Sequence, residues 1–573
     1  MQQWPARFPG RRPRNEAERL TIKVTGGLVR GVREGSTFVW RGIPYAAPPV
    51  GPLRFRAPQP VPRWNGVREA ASFGPVATQA YRGQFRGVGP GVPSGEDCLS
   101  VNVMTPAATP ARRNRPVMVF IHGGGYSAGS SRDFSGDGAG FVGSGQVVYV
   151  SFNYRLGALG YLDFSRYSTP ERPIESNLGL RDQVAALRWV HANIRAFGGD
   201  PGNVTVFGES AGGNAVTTLL ATPSAKGLFA RAIAQSSPPS SVYPAELAAR
   251  WAEEFVDVVL HEQGDRRSAA TMSRAEVAAV LDRTRATDLV NASLVLQTRT
   301  PDDYPGTFCL SPTVDGDFLP VHPMEAFRTG RAHRVPLIIG TNDREGSLFR
   351  GRIDILPRSV GRIRAMLEQA PPDSRRALLE AYPGLSSGRA SSDFAGDYAF
   401  WYPSVKVADF HSRFAPVHCY RFDVAPRLLR MIGLDATHGV EMYALFDQID
   451  APLPRAFTAI GGRQLYSRAG KRMRDNWLRF ATRRPLPESW PAYTEKDRLT
   501  NIIGEVDYVA SDPRGDRRRA WESFLPLAEP VYPPAPSSAR PPSIRPDGEG
   551  DDAADDYPVE RRVGHDRRVR GRR

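Results

Sequence analysis

A serine hydroxyl is a poor nucleophile unless a base takes its proton and the oxygen stands clear of the backbone. The stretch from residue 204 to 220 has the pattern that achieves this. The apolar run Val204-Thr-Val-Phe207 leads directly into Gly208-Glu-Ser-Ala-Gly212 and then into Gly213-Asn-Ala-Val-Thr-Thr-Leu-Leu220. This reads as strand, G-x-S-x-G turn and helix, with Ser210 projecting from the turn and glycines where side chains would collide with strand and helix. The helix that follows points its positive N-terminal end at the reacting centre. A second glycine run, His122-Gly-Gly-Gly-Tyr126, follows the apolar stretch Pro116–Ile121. In acyl transfer a carbonyl oxygen becomes an anion, and one preorganised N–H donor is worth roughly 2.7–4 kcal/mol in the transition state. The N–H groups of Gly124, Gly125 and Ala211 are the candidate donors. A phosphate-cradling loop is the competing reading, but neither a G-K-[ST] ending nor G-x-G-x-x-G spacing supports it.

The serine needs a base and an acid downstream, in the chain order Ser, Asp or Glu, His. Of nine histidines, His122 belongs to the glycine loop and His191 to a helical stretch before the serine. His418 lies within the strand-like Val417–Phe422, and His565 in the charged C-terminal segment. His261, His322, His333 and His411 lack a strand-end context. His438 stands in Gly433-Leu-Asp-Ala-Thr-His-Gly439, after a strand and before the helical Val440–Phe446. That suits a general base delivered on a loop. For the acid, the apolar run Val335–Ile339 enters Gly340-Thr-Asn-Asp-Arg-Glu-Gly-Ser347. A carboxylate there would fix the histidine tautomer. Glu345 and Asp343 both qualify, and spacing does not choose between them.

The elements that must position these residues alternate. Pro116–His122 and Gln146–Phe152 read as buried parallel strands, Leu180–Phe197 as a helix with one apolar face, and Val204–Phe207 as the next strand. This predicts an α/β fold with a mostly parallel sheet and helices on both faces. Residues 1–20, rich in Pro and Arg, are expected to form a mobile arm. Residues 21–528 are expected to be the catalytic domain. Residues 529–573, with their proline run and blocks of acid and arginine, read as a disordered charged tail.

The chain has 573 residues and a formal charge of +15. Its arginines are spread throughout and mixed with acids, which argues against nucleic-acid binding. No apolar run approaches the ~18–20 residues that would span a bilayer. The arginine-rich start is not followed by the apolar stretch of a secretory signal. Three cysteines, Cys98, Cys309 and Cys419, form no disulfide or zinc pattern, so a cytoplasmic location is expected. No sequence feature specifies an oligomeric state.

Taken with Thr25-Gly-Gly-Leu-Val-Arg-Gly31, Arg41-Gly-Ile-Pro-Tyr-Ala-Ala-Pro-Pro-Val-Gly51, Glu96-Asp-Cys-Leu-Ser-Val-Asn102, Asn153-Tyr-Arg-Leu-Gly157 and Asn177–Gln183, these motifs resemble the type B carboxylesterase family. That family includes the cholinesterases and many bacterial esterases. The resemblance implies the α/β-hydrolase fold with helical cap insertions and a small-molecule ester as substrate, without metal or cofactor. It places the acid on Glu345 in G-x-N-x-x-E-G and the base on His438 in H-G-x-E. It agrees with Gly124, Gly125 and Ala211 as oxyanion donors. It also matches Glu209 to a family glutamate beside the nucleophile, either tuning the site electrostatically or holding structure by hydrogen bonds. Asp393–Tyr402 resembles a helical region that walls the family's active-site gorge, making Phe400, Trp401 and Tyr402 candidate pocket residues. Two departures stand out. Ala77 occupies the position where a cysteine often pairs with that of E-D-C-L, which leaves Cys98 a free thiol. Residues 78–97 lack the tryptophan on which cholinesterases bind a quaternary ammonium. Amide or carbamate hydrolysis on the same machinery, and a binding-only member of the family, are the alternatives to an esterase.

Overall fold

β-Branched and aromatic residues in short runs, separated by helical stretches, build one large sheet. In the computed structural model the described residues are 16–81, 84–85, 87–89, 91–107, 114–351, 353–385 and 388–524. The sheet has eleven strands. In chain order they are β1 (Val32–Glu34), β2 (Thr37–Pro44), β3 (Ser100–Pro106), β4 (Arg115–Ile121), β5 (Val148–Phe152) and β6 (Gly199–Glu209). The remainder are β7 (Arg231–Gln235), β8 (Leu337–Asn342), β9 (Val417–Phe422), β10 (Leu499–Ile503) and β11 (Tyr508–Ser511). Their spatial order is β11-β10-β9-β8-β7-β6-β4-β5-β3-β2-β1. From β5 to β10 the neighbours are parallel, and both edges are antiparallel. After β4 the chain goes to β5 on one side and then to β6 on the other. This reversal opens a crevice at the carboxyl ends of β4 and β6, where ligands bind in open α/β sheets.

The two faces of the sheet follow from side-chain alternation. Val117, Val119, Ile121, Val204 and Val206 enter one apolar cluster, with Leu180, Val184, Leu187, Val216 and Leu219 from the helices Leu178–Asn193 and Ala211–Ala221. Met118, Phe120 and Phe207 enter another, against Met473 and Trp477 of the helix Arg463–Ala481. The helix read as Leu180–Phe197 ends its α-helical part at Asn193. It finishes in a 3-10 turn, Ile194–Phe197, capped by Gly198 at φ 85°. A third cluster lies in the insertion between β8 and β9. Leu378, Tyr382, Phe394, Trp401 and Tyr402 there close around Trp521 of the C-terminal helix Gly515–Phe524.

Of the arm expected over 1–20, residues 1–15 lie outside the described residues. Glu16–Leu20 is a helical turn whose Glu16 pairs with Arg33 at 2.9 Å. The tail expected over 529–573 also lies outside them. No helix of the described residues is long and apolar enough to cross a membrane.

Candidate active site

Ser210 sits between β6 and the helix Ala211–Ala221 with φ 59° and ψ −124°. A non-glycine residue holds such a conformation only when its surroundings enforce it. Here the Ser210 N–H donates to the Gln235 carbonyl at 3.0 Å, and its own carbonyl accepts from the Asn214 N–H at 2.9 Å. The turn also presses against β4. A Cβ on Gly212 would run into the Ile121 carbonyl oxygen.

The glycine loop after β4 completes the crevice. Gly124 and Gly125 have φ of 108° and 59°, in the left-handed region that side chains disfavour. A Cβ would strike the Ala128 carbonyl from Gly124 and the Phe85 ring from Gly125. Ala211 is the first residue of its helix, so its N–H has no intrahelical acceptor. His122 is buried and structural, stacked on Tyr154 with centroids 4.4 Å apart.

Glu345 and His438 meet 93 residues apart in sequence, with His438 Nδ1 2.6 Å from Glu345 Oε2. Glu345 Oε1 accepts the Asn342 N–H at 2.6 Å and the Ser236 hydroxyl at 2.7 Å. Asp343, the other carboxylate open in the sequence, turns away to Arg514 at 2.7 Å and Arg421 at 3.6 Å. Arg344 ties the two loops together. Its N–H bonds the Ala436 carbonyl, and its guanidinium bonds Asp435 at 2.9 Å, the Gly433 carbonyl at 3.0 Å and Asp393 at 2.8 Å.

The other imidazole nitrogen, His438 Nε2, faces Glu209 Oε1 at 3.3 Å and makes no hydrogen bond. Among the described hydrogen bonds none joins Ser210 Oγ to His438. Behind the imidazole lies Glu441, fully buried, accepting the Asn342 side-chain amide at 2.6 Å and that of Gln235 at 3.3 Å. Three carboxylates therefore crowd one imidazole, and burial disfavours the charged form of two of them, Glu209 and Glu441. Burial lifts Glu209 to about 7 against the pull of His438. Burial lifts Glu441 to about 8, reinforced by the charge of Glu209. For His438 burial disfavours the cation, but Glu209 and then Glu345 outweigh it and raise the imidazole to about 9. Neutral imidazole with its proton on Nδ1 would aim a lone pair at Glu209. One proton in this pair removes that repulsion.

A cleft opens over Ser210, lined by Gly125, Ala211, Phe308, Phe349, Ile355 and Phe400, among others, with no charged side chain among the described residues that line it. The rings of Phe349 and Phe400 lie 5.2 and 4.6 Å from the His438 ring. Trp401 and Tyr402 are elsewhere, which corrects their assignment to this pocket. Trp401 lines a separate cavity with Tyr493 and Arg498, and Tyr402 stacks on Trp521 at 6.2 Å. Consecutive helical residues point about 100° apart, so three in a row cannot face one cleft. Sequence reasoning missed Ser236, Asn342 and Glu441. The last two stood in the G-x-N and H-G-x-E motifs, while Ser236 carried no signal.

Comparison with known proteins gives the same picture. The Carboxylesterase family matches residues 18–521. A para-nitrobenzyl esterase of Bacillus subtilis is 35% identical over 86% of this chain and 96% of its own length. A medium-chain fatty acyl-CoA hydrolase precursor of Anas platyrhynchos is 31% identical over 90% and 94%. A solved para-nitrobenzyl esterase superposes with a TM-score of 0.76 at 34% identity, covering 88% of this chain and 99% of that one. A Geobacillus stearothermophilus carboxylesterase gives 0.72 at 34%, covering 88% and 100%. Matched over nearly its whole described length in sequence and in fold, the chain belongs to the carboxylesterase family, as a serine hydrolase of carboxylic esters with the α/β-hydrolase fold.

Proposed function

We propose that Ser210, His438 and Glu345 are the catalytic triad, that Gly124, Gly125 and Ala211 supply the oxyanion donors, and that the substrates are neutral carboxylic esters. The observation that carries this is the Glu345 carboxylate, bonded on one oxygen to His438 Nδ1 at 2.6 Å and clamped on the other by Asn342 and Ser236. That clamp fixes the imidazole tautomer at the edge of the Ser210 crevice. His438 Nε2 has no hydrogen bond and is left open to the serine hydroxyl. Catalytic hydrogen bonds are often long without ligand and tighten when substrate binds.

Once its proton is lost to Nε2, the Ser210 oxygen attacks the ester carbonyl beneath the glycine amides. The imidazolium protonates the departing alcohol, leaving an acyl-enzyme. A water deprotonated by the same nitrogen then releases the acid and restores the serine. The cleft carries no charge on its described lining residues and is rimmed by rings such as Phe308, Phe349 and Phe400, which supports neutral esters, and the match to a para-nitrobenzyl esterase makes para-nitrobenzyl esters the first to try. Three buried free thiols support a reducing cytoplasm as the compartment.

The test is labelling by an organophosphate together with turnover of matched ester and amide substrates. The expected result is one adduct, on Ser210, and ester turnover that the adduct abolishes. Labelling elsewhere would overturn the triad, and faster amide turnover would overturn the substrate class.

A further inference from the structure

Two short helices that follow β9 in the chain carry apolar side chains outward. Arg427–Met431 buries only Leu429, and Pro452–Phe457 buries only Pro454 and Phe457. Leu429 and Phe457 root both helices in the apolar cluster that contains Phe207 and Trp477. The helices pack against each other, and the Arg427 N–H donates to the Gly461 carbonyl at 3.4 Å, which brings Ile460 alongside. On the outer side Met431 is 75% exposed, Ile432 55%, Leu453 57% and Ile460 47%. Single exposed apolar residues are ordinary, but four on two packed helices form a patch of the kind that marks an interaction site. Three exposed arginines share it, Arg427, Arg430 and Arg455. The acids of residues 427–463 are engaged or buried. Asp435 pairs with Arg344 and Arg389, Asp447 with Arg474 and Asp450 with Arg463, while Glu441 is fully buried. Among the described residues the three arginines therefore have no ion pair with these acids.

We propose that this face docks the enzyme on an anionic lipid surface. The four apolar side chains enter the boundary between headgroups and acyl chains, and the three arginines meet lipid phosphates. Amphipathic helices bind interfaces in this way, by buried apolar area plus attraction to anionic lipid. The long arginine stems keep their charge in the headgroup layer while the apolar neighbours go deeper. The formal charge of +15 over the chain adds a long-range pull in the same direction. A second copy of the chain fits less well, because a two-fold pair sets one patch against itself, arginine against arginine. The position gives the contact a use. The chain runs from the carboxyl end of β9 at Phe422 through the first helix to His438, so docking turns that end of the sheet, where the crevice opens, towards the layer in which apolar esters dissolve. Binding is read without turnover, so it stands or falls apart from the triad.

The experiment is co-sedimentation of the full chain with extruded vesicles, one set of mixed phosphatidylglycerol and phosphatidylcholine and one of phosphatidylcholine alone, at low and high salt. The expected result is binding to the anionic vesicles that salt weakens, and binding about 100-fold weaker to the neutral ones. The triple variant Arg427→Gln, Arg430→Gln, Arg455→Gln should lose about 100-fold on anionic vesicles. A control, Arg195→Gln, Arg266→Gln, Arg283→Gln, removes as many exposed arginines outside the face and should lose little, because screening cuts off distant charges. The fourfold variant Met431→Gln, Ile432→Gln, Leu453→Gln, Ile460→Gln keeps the charge and should bind at least about tenfold more weakly. Turnover of a water-soluble ester without lipid checks that each variant is folded. Should the fourfold variant unfold, the pair Met431→Gln and Leu453→Gln carries the same test. No binding to anionic vesicles, a control that loses as much as the triple variant, or apolar substitutions that leave binding undiminished would overturn the proposal. So would sedimentation equilibrium showing a lipid-free dimer that the apolar substitutions break, which would give the face to a second copy.

Discussion

The imidazole of His438 is held between two buried carboxylates, with Glu345 Oε2 2.6 Å from Nδ1 and Glu209 Oε1 3.3 Å from Nε2. The two contacts do different work. The first is a hydrogen bond that sets orientation. The second is an electrostatic contact that favours the protonated imidazole.

Activity should therefore rise with pH as that proton leaves. Glu209 raises His438, which stands at about 9, so the basic form grows as pH climbs towards that value. Replacing Glu209 by glutamine removes the anion that favours the imidazolium. The acidic limb of the kcat/KM profile should move to lower pH by about 1–3 units, the size expected for loss of one close opposite charge. A profile that stays in place in the Glu209→Gln enzyme would show that this carboxylate only holds structure.

Glu345→Gln should lower kcat by about 10⁴-fold, because an amide can hold the wrong imidazole tautomer. Asp343→Asn should change kcat little, since Asp343 is spent on Arg514 and Arg421. Steady-state kinetics on one para-nitrobenzyl ester separates the two carboxylates that the sequence alone left open.

Ser210→Ala should reduce kcat by at least about 10⁴-fold and abolish organophosphate labelling. Intact-mass measurement of the treated protein reads the adduct directly.

Arg344→Met should lower kcat by about 10²-fold while KM moves little. It removes the link between the loop carrying Glu345 and the loop carrying His438, and small misplacements of catalytic groups cost rates of that order. Arg344 is 4% exposed and pairs with Asp393 and Asp435. Thermal unfolding should show a loss of about 3–5 kcal/mol, the usual cost of breaking a buried pair from one side. Arg344→Lys should restore part of the kcat but not all, because an ammonium cannot reproduce the planar fork.

How much of this was legible in the sequence depends on the range of the interactions. The Ser210 turn and the glycine loop were readable because strand, turn and helix are contiguous, and their glycines answer to local crowding. His438 emerged by elimination, from its place between a strand and a helix. The choice between Glu345 and Asp343 was not readable from spacing, since two residues in one turn differ only in where they point. Only the family resemblance favoured Glu345. The clamp on Glu345 was hidden for another reason. Ser236 and Asn342 follow or end different strands, β7 and β8, and become neighbours only when those strands pair.

The strands β8 and β9 lie side by side, and the loops that carry Glu345 and His438 leave their carboxyl ends, while the chain between those strands detours through the helices that contribute Phe400 to the cleft. Glu345 and His438 are thus anchored to a shared frame, and the intervening excursion reaches back to it through Asp393 on Arg344 and Phe400 on the His438 ring. Exchanging that excursion would alter the range of esters accepted only while those two contacts are kept.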